Sequence, residues 1–221
     1  YVSREMREQF EDSGCETVVL LDQFYPRLRE IHAATRVRRT IVVDVTDPLP
    51  WPARTLVRLA QARRGERVRV PVETDTYLFR DLVRSYPPTP PGADLRPADL
   101  ALLQYTGGTT GTPKAAVLTH RNLVANSMQA AAWFPRARAG REVFLGAIPF
   151  FHVYGLTSVL LFGVEVAAEI VVVPRPRPVD VVLEAIQRFR VTLFPGVPTL
   201  YAAIDDHPRV GEYDLRSGAL C

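Results

Sequence analysis

The stretch Tyr105-Thr-Gly-Gly-Thr-Thr-Gly-Thr-Pro-Lys114 gathers more chemistry than any other part of this chain. Gly107, Gly108 and Gly111 let the backbone turn tightly and present bare amides to an anion. The hydroxyls of Thr106, Thr109, Thr110 and Thr112 add donors, and Lys114 supplies a point charge for phosphate oxygens. The composition sharpens this reading. Of 27 cationic residues, 26 are arginine and Lys114 is the only lysine. A chain that uses arginine everywhere else keeps lysine where a compact, rotatable ammonium suits a phosphate. Two familiar cradles fail on spacing. A Walker loop ends Gly-Lys-Ser/Thr, whereas Pro113 precedes this lysine and Ala115 follows it, and the dinucleotide pattern G-x-G-x-x-G is absent. A Gly/Thr turn tip would explain the glycines and threonines but not the closing Pro-Lys.

Two further segments carry candidate residues. Ile148-Pro-Phe-Phe-His-Val-Tyr-Gly155 places His152 among aromatics, between a strand and an apolar helix. An isolated histidine there is ordinarily a core residue with satisfied nitrogens. Phe150, Phe151, Tyr154, Gly155 and Leu156 fit a pocket lining and core packing equally well. In Phe194-Pro-Gly-Val-Pro-Thr-Leu-Tyr201, the run Gly196 to Thr199 reads as a helix start, with proline in the opening turn. His32, His120 and His207 show no partner pattern and read as surface residues.

The elements that must position these residues alternate. Ser3 as N-cap with Glu5 in the first turn predicts a helix over 4–12. Strand 16–21, helix 23–34 and strand 40–44 follow, and short apolar runs alternating with helical periodicity point to a parallel sheet covered by helices. From 47 to 97 prolines break the pattern, so this stretch reads as a surface excursion with short helical pieces such as 77–84. Order returns with strand 99–105, the glycine-threonine loop and strand 115–118. A helix capped by Thr119 ends at Pro135. Then come strand 143–148, helix 153–164, strand 169–173, helix 179–189, strand 191–194 and helix 198–205.

Bulk properties exclude several classes. Nearly half of the 221 residues are apolar, which supports a folded core, and the net charge is only +3 with interspersed signs, so nucleic acid is not an expected partner. Cys15 and Cys221 have no metal-ligand partner at short spacing and read as free thiols in a reducing compartment. The longest apolar stretch, 156–168, is interrupted by Gly163 and Glu165 and is too short to span a bilayer, and no signal peptide is visible. The expected location is the cytoplasm. Segment 51–70 carries Arg54, Arg58, Arg63, Arg64, Arg67 and Arg69 against the single acid Glu66, with Leu56, Val57 and Leu59 interleaved. Such a segment could touch an anionic membrane surface, although a solvated helix is the favoured reading.

The loop 105–114 resembles the signature loop of the adenylate-forming (AMP-binding) superfamily, which includes acyl-CoA synthetases, luciferases and peptide-synthetase adenylation domains. Segment 148–155 is similar to that superfamily's Pro-x-x-His-x-x-Gly block, and 194–201, followed by Tyr213-Asp-Leu-Arg-Ser, to its helix start beside the acyl pocket. The likeness covers nearly the whole chain and is greatest to the long-chain fatty-acid–CoA ligases. One departure is Ala115, where the family usually has glycine after the lysine.

The resemblance implies an α/β fold, with two doubly wound sheet subdomains of the large N-terminal domain of an adenylate-forming enzyme, incomplete at both ends. Residues 1–141 would form the first subdomain, with the Pro/Arg-rich excursion 47–97 and the phosphate loop 105–114, and 142–221 the truncated start of the second. It implies activation of a fatty acid by ATP to an acyl-adenylate, then transfer to coenzyme A, in an enzyme of which this fragment alone would be inactive. The partners would be fatty acid, ATP, Mg²⁺ and coenzyme A, and a homodimer is a further expectation. Thr106, Gly107, Gly108, Thr109, Thr110, Gly111, Thr112 and Lys114 would hold the phosphates, with Thr106 as the magnesium ligand. Lys114 and His152 are the expected catalytic residues, His152 as a pocket wall near the acyl carbonyl rather than a general base. Alternatives are a peptide-synthetase adenylation domain, an aryl-CoA ligase, or a non-catalytic nucleotide-binding remnant.

Overall fold

The computed structural model describes residues 2–71, 73–106 and 114–218. They divide into two compact units, one of 1–94 with 105–115, the other of 95–104 with 116–221.

The first unit is built on a parallel sheet. Strands β1 (Thr17–Leu21), β2 (Arg39–Val43) and β3 (Thr76–Leu78) lie in that order, with Val19 opposite Ile41 and Ile41 opposite Tyr77. Val18, Leu20 and Val42 are buried against Met6 of helix α1 (Ser3–Ser13) and Tyr25, Leu28 and Ile31 of α2 (Tyr25–Ile31). Val2, not Ser3, occupies the α1 N-cap: its amide donates to Glu5 (3.0 Å), and the Ser3 hydroxyl instead donates to Glu30 (2.6 Å). The helix expected over 23–34 is α2 flanked by 3₁₀ turns Asp22–Phe24 and His32–Ala34.

The excursion 47–97 is more ordered than its prolines suggest. It holds α3 (Trp51–Arg63), strand β3 as the third sheet member, and α4 (Phe79–Ser85). Pro50 and Pro52 occupy the N-cap and first turn of α3, where a missing N–H costs no helical hydrogen bond. Two arginines of the basic segment are turned inward. Arg54 donates to the carbonyls of Asp47 (2.6 Å) and Leu49 (3.3 Å), and Arg58 pairs with Asp44 (2.5 Å).

The second unit covers both faces of its sheet. Strands β6 (Val143–Gly146) and β7 (Glu169–Val172) pair in parallel, and Leu193 adds a single parallel bridge to Phe144 where a third strand was expected. Successive side chains of a strand point to opposite faces. Accordingly Phe144 enters one core with Val159, Phe162 and Leu193, and Leu145 enters the other with Val171, Val182 and Ile186. Helix α8 (Asp180–Phe189) covers the second face, and Arg190 in the left-handed region (φ 51°) closes it. The remaining strands, β4 (Leu100–Thr106) and β5 (Lys114–Thr119), form a two-stranded sheet. Thr119 caps α5 (His120–Trp133) in a reciprocal box with Asn122, as its sequence predicts. Among the described residues no helix is long and apolar enough to cross a membrane.

Candidate functional site

Strand β4 ends, and β5 begins, at the two ends of the glycine-threonine loop. Gly107, Gly108, Thr109, Thr110, Gly111 and Thr112 lie outside the described residues. The Thr106 hydroxyl donates to the Lys114 carbonyl (3.3 Å), and both side chains are exposed. A hydroxyl that spends its proton in this way keeps lone pairs for a cation. Tyr105, at the loop entrance, donates its phenol proton to Asp12 on α1 (2.5 Å), with the Gln9 carbonyl at 3.3 Å. Burial and the Asp12 carboxylate push the phenol up to about 12.

His152 caps α6 (Val153–Gly155), its Nδ1 accepting from the Tyr154 amide at 3.2 Å. An accepting Nδ1 is unprotonated, so the neutral ring carries its proton on Nε2. His152 lines a cavity of about 350 Å³ together with Pro149, Phe151 and Tyr154 of its own segment, and Val197, Thr199 and Leu200 from the start of α9 (Pro198–Asp205). Phe150, by contrast, packs into the core around Phe144 and Phe162. Two glycines make this arrangement possible. A side chain at Gly155 would collide with the Pro149 carbonyl, and one at Gly196 would lie 2.6–2.9 Å from the Tyr201 ring. Tyr201 then ties its own loop shut, accepting from the Gly196 amide (2.9 Å) and donating to the Phe194 carbonyl (2.6 Å). The Tyr154 hydroxyl joins the two segments by donating to the Gly196 carbonyl (3.3 Å).

The helix expected over 153–164 is α6, a π-helical stretch Leu156–Leu161, and α7 (Phe162–Glu165). Wide π turns leave the i→i−4 ladder incomplete. The buried Ser127 hydroxyl on α5 meets the Leu161 carbonyl at 3.0 Å. The cavity also takes in Pro176 and Arg177, which sequence reasoning did not single out. Their Arg-Pro repeat reads as a loop, and only the fold carries it to the cavity wall. Asp12 and Gln104 were missed as well. Gln104 donates its side-chain amide to the Phe151 carbonyl at 3.2 Å, a link that no local pattern announces.

Nucleotide phosphates with a divalent cation fit the loop ends. Mg²⁺ commonly takes one or two protein oxygens and completes its shell with phosphates and water. The exposed Thr106 oxygen and Lys114 ammonium suit that division. Among the described residues no cluster of three histidine, cysteine or acidic side chains could hold a metal by itself.

The parallel α/β architecture is shared with known proteins. The AMP-binding enzyme family matches residues 1–220, and the chain belongs to that family. It is 34% identical over 224 residues to the long-chain-fatty-acid–CoA ligase of Bacillus subtilis strain 168, covering 100% of this chain and 40% of the relative. Against the long-chain-fatty-acid–CoA ligase of Escherichia coli O157:H7 it is 31% identical over 219 residues, 98% of this chain and 39% of the relative. The crystal structure of an anthranilate CoA ligase with anthranoyl-AMP superposes with a TM-score of 0.75 at 23% identity, covering 100% of this chain and 38% of that one. The fold is therefore that of the N-terminal domain of adenylate-forming enzymes, and the chain spans about 40% of the length of the curated relatives it matches.

Proposed function

We propose that this chain is the phosphate-binding and acyl-binding part of an AMP-forming acyl-CoA ligase acting on a long-chain fatty acid. In that reaction a carboxylate oxygen attacks the α-phosphorus of ATP, the α–β bond breaks and pyrophosphate leaves. The thiolate of coenzyme A then attacks the acyl carbonyl and displaces AMP. Negative charge develops on the departing pyrophosphate, and preorganised donors aimed at it lower the barrier.

Lys114 with Thr106, Gly107, Gly108, Thr109, Thr110, Gly111 and Thr112 would hold the phosphates. Mg²⁺, through Thr106, would add charge neutralisation there. His152, with its proton on Nε2, would offer a hydrogen bond at the mouth of the largely apolar cavity, where the acyl carbonyl could lie. The observation that carries the reading is the chain's only lysine, exposed where the loop ends and joined through its carbonyl to Thr106 at the entrance. Both curated relatives described above bear the name long-chain-fatty-acid–CoA ligase, which supports the substrate class.

Hydroxylamine trapping in the full-length protein, with a panel of fatty, aryl and amino acids, tests this. Long-chain fatty acids should give ATP-dependent hydroxamate. Preference for an aryl or amino acid would replace the substrate class, and no product with any acid would favour a nucleotide-binding remnant.

Peripheral membrane contact through 51–70 remains part of the proposal. It is supported by Trp51, Leu56 and Leu59, exposed by 78%, 69% and 49%, beside the exposed Arg63 and Arg64. Flotation with anionic but not zwitterionic vesicles is the expected result, and equal recovery with both would remove the contact.

A further inference from the structure

We propose that Asp12, on the last turn of α1, is a positioning residue for the phosphate loop: it holds the Tyr105 phenol and so fixes where the loop begins. The inference rests on the phosphate-loop reading above.

Tyr105 and Asp12 are 93 residues apart in sequence and 2.5 Å apart between phenol and carboxylate oxygens. The phenol has one proton to give, and a short bond to an ionised acceptor is among the stronger hydrogen bonds available to it. Its raised ionisation range keeps that proton in place at physiological pH. Asp12 is itself held firmly. Gly14, left-handed at φ 63°, closes α1 with an amide bond to the Phe10 carbonyl, and Met6 anchors the helix in the core against α2.

Helix electrostatics give no reason for an acid there. The last turn of α1 carries no basic residue, and an aspartate beside the negative end of a helix dipole opposes helix formation. The Tyr105 proton offsets that cost. The adjacent residue, Thr106, closes the far end of the arrangement through the Lys114 carbonyl. Without the Asp12 bond, the phenol would keep the longer contact to the Gln9 carbonyl (3.3 Å) but hold the loop entrance less firmly, a cost that falls on nucleotide affinity.

The test compares Asp12→Ala, Asp12→Asn, Tyr105→Phe and the Asp12→Ala/Tyr105→Phe double variant in the full-length protein, measuring KM for ATP, KM for the fatty acid, kcat and thermal midpoint. The Ala and Phe variants should each raise KM for ATP about three- to tenfold, less than the full worth of a charge-assisted hydrogen bond because this bond reaches the nucleotide only through the loop entrance. KM for the fatty acid should stay within about twofold, and the double variant should be no worse than either single, because both remove the same bond. Asp12→Asn keeps an acceptor and should recover most of the affinity. Because Asp12→Ala also relieves the dipole conflict and adds a good helix former, its thermal midpoint should not fall while its KM for ATP rises. A residue with a merely structural role would lose midpoint and leave KM unchanged, and that outcome overturns the proposal. So does additivity in the double variant. Should one Asp12 variant fail to fold, Tyr105→Phe carries the comparison. Absence of ATP binding by the unmodified protein in calorimetry would instead defeat the phosphate-loop reading, and the positioning role with it.

Discussion

The Gln104 side-chain amide donates to the Phe151 carbonyl, 47 residues further along the chain, at 3.2 Å. Gln104 lies in β4 two residues before Thr106, and Phe151 is the neighbour of His152 and lines the same cavity. One hydrogen bond thus ties Gln104 to the histidine segment within the second unit. Gln104→Leu should cost under about 1.5 kcal/mol of stability, the usual worth of a neutral hydrogen bond. Because misplacement of reacting groups is costly, adenylate formation should fall about tenfold. Urea unfolding and hydroxamate rate on the same preparation give the comparison, and an unchanged hydroxamate rate in the folded variant would deny the link a positioning role.

Lys114→Ala should lower ATP-dependent adenylation about ten- to a hundredfold, the effect of losing a charge-assisted contact to phosphate. The side chain is exposed, so the thermal midpoint should barely move. Unchanged pyrophosphate release in this variant would remove the lysine from the phosphate role.

Asp44 gives a pH signature. Burial raises its pKa, but Thr46, through its amide (2.8 Å) and hydroxyl (2.6 Å), and Arg58 (2.5 Å) outweigh that and leave it below the usual carboxylate range. A group with a depressed folded pKa adds stability above its unfolded value, about 3.9, and loses it as pH falls through the lower folded value. Asp44→Asn should therefore cost about 1–3 kcal/mol at neutral pH, where Arg58 loses the nearer of its two carboxylate partners and keeps Asp47 at 3.7 Å, and the gap from the unmodified protein should narrow below about pH 4. Denaturant midpoints from pH 3 to pH 8 would show it, and a pH-independent gap would assign the effect to packing.

Glu142 is 4% exposed, accepting from the Arg138 amide (2.9 Å) and the Thr192 hydroxyl (2.6 Å), while Thr192 accepts from the Val143 amide (2.9 Å). Glu142→Ala strips a partner from two donors and should cost about 2–3 kcal/mol, while Glu142→Gln, which can still accept, should cost less. Equal urea midpoints for the two variants would show that charge, rather than acceptor geometry, matters here.

Local patterns were enough to indicate most of the elements. Helix α9 begins at Pro198 because proline suits an opening turn, α5 begins after Thr119 because a threonine cap with Asn122 closes a box, and β6 and β7 follow from short apolar runs. The same proline logic misled the reading of 47–97. Whether a proline breaks a helix or opens one depends on its position within the turn, and the pairing of Thr76 with Thr40 that makes β3 a sheet strand spans 36 residues.

The lone lysine in its Gly/Thr loop was likewise legible, because glycine freedom, hydroxyl donors and a point charge are properties of residue type and spacing. Tertiary structure alone decided what surrounds them: Tyr105 on Asp12, Gln104 on the Phe151 carbonyl, and Arg177 at the cavity beside His152. Each of these depends on where another segment lies after the chain has folded. A hydrogen bond between side chains far apart in sequence leaves no periodicity, cap or composition signal for the sequence to display.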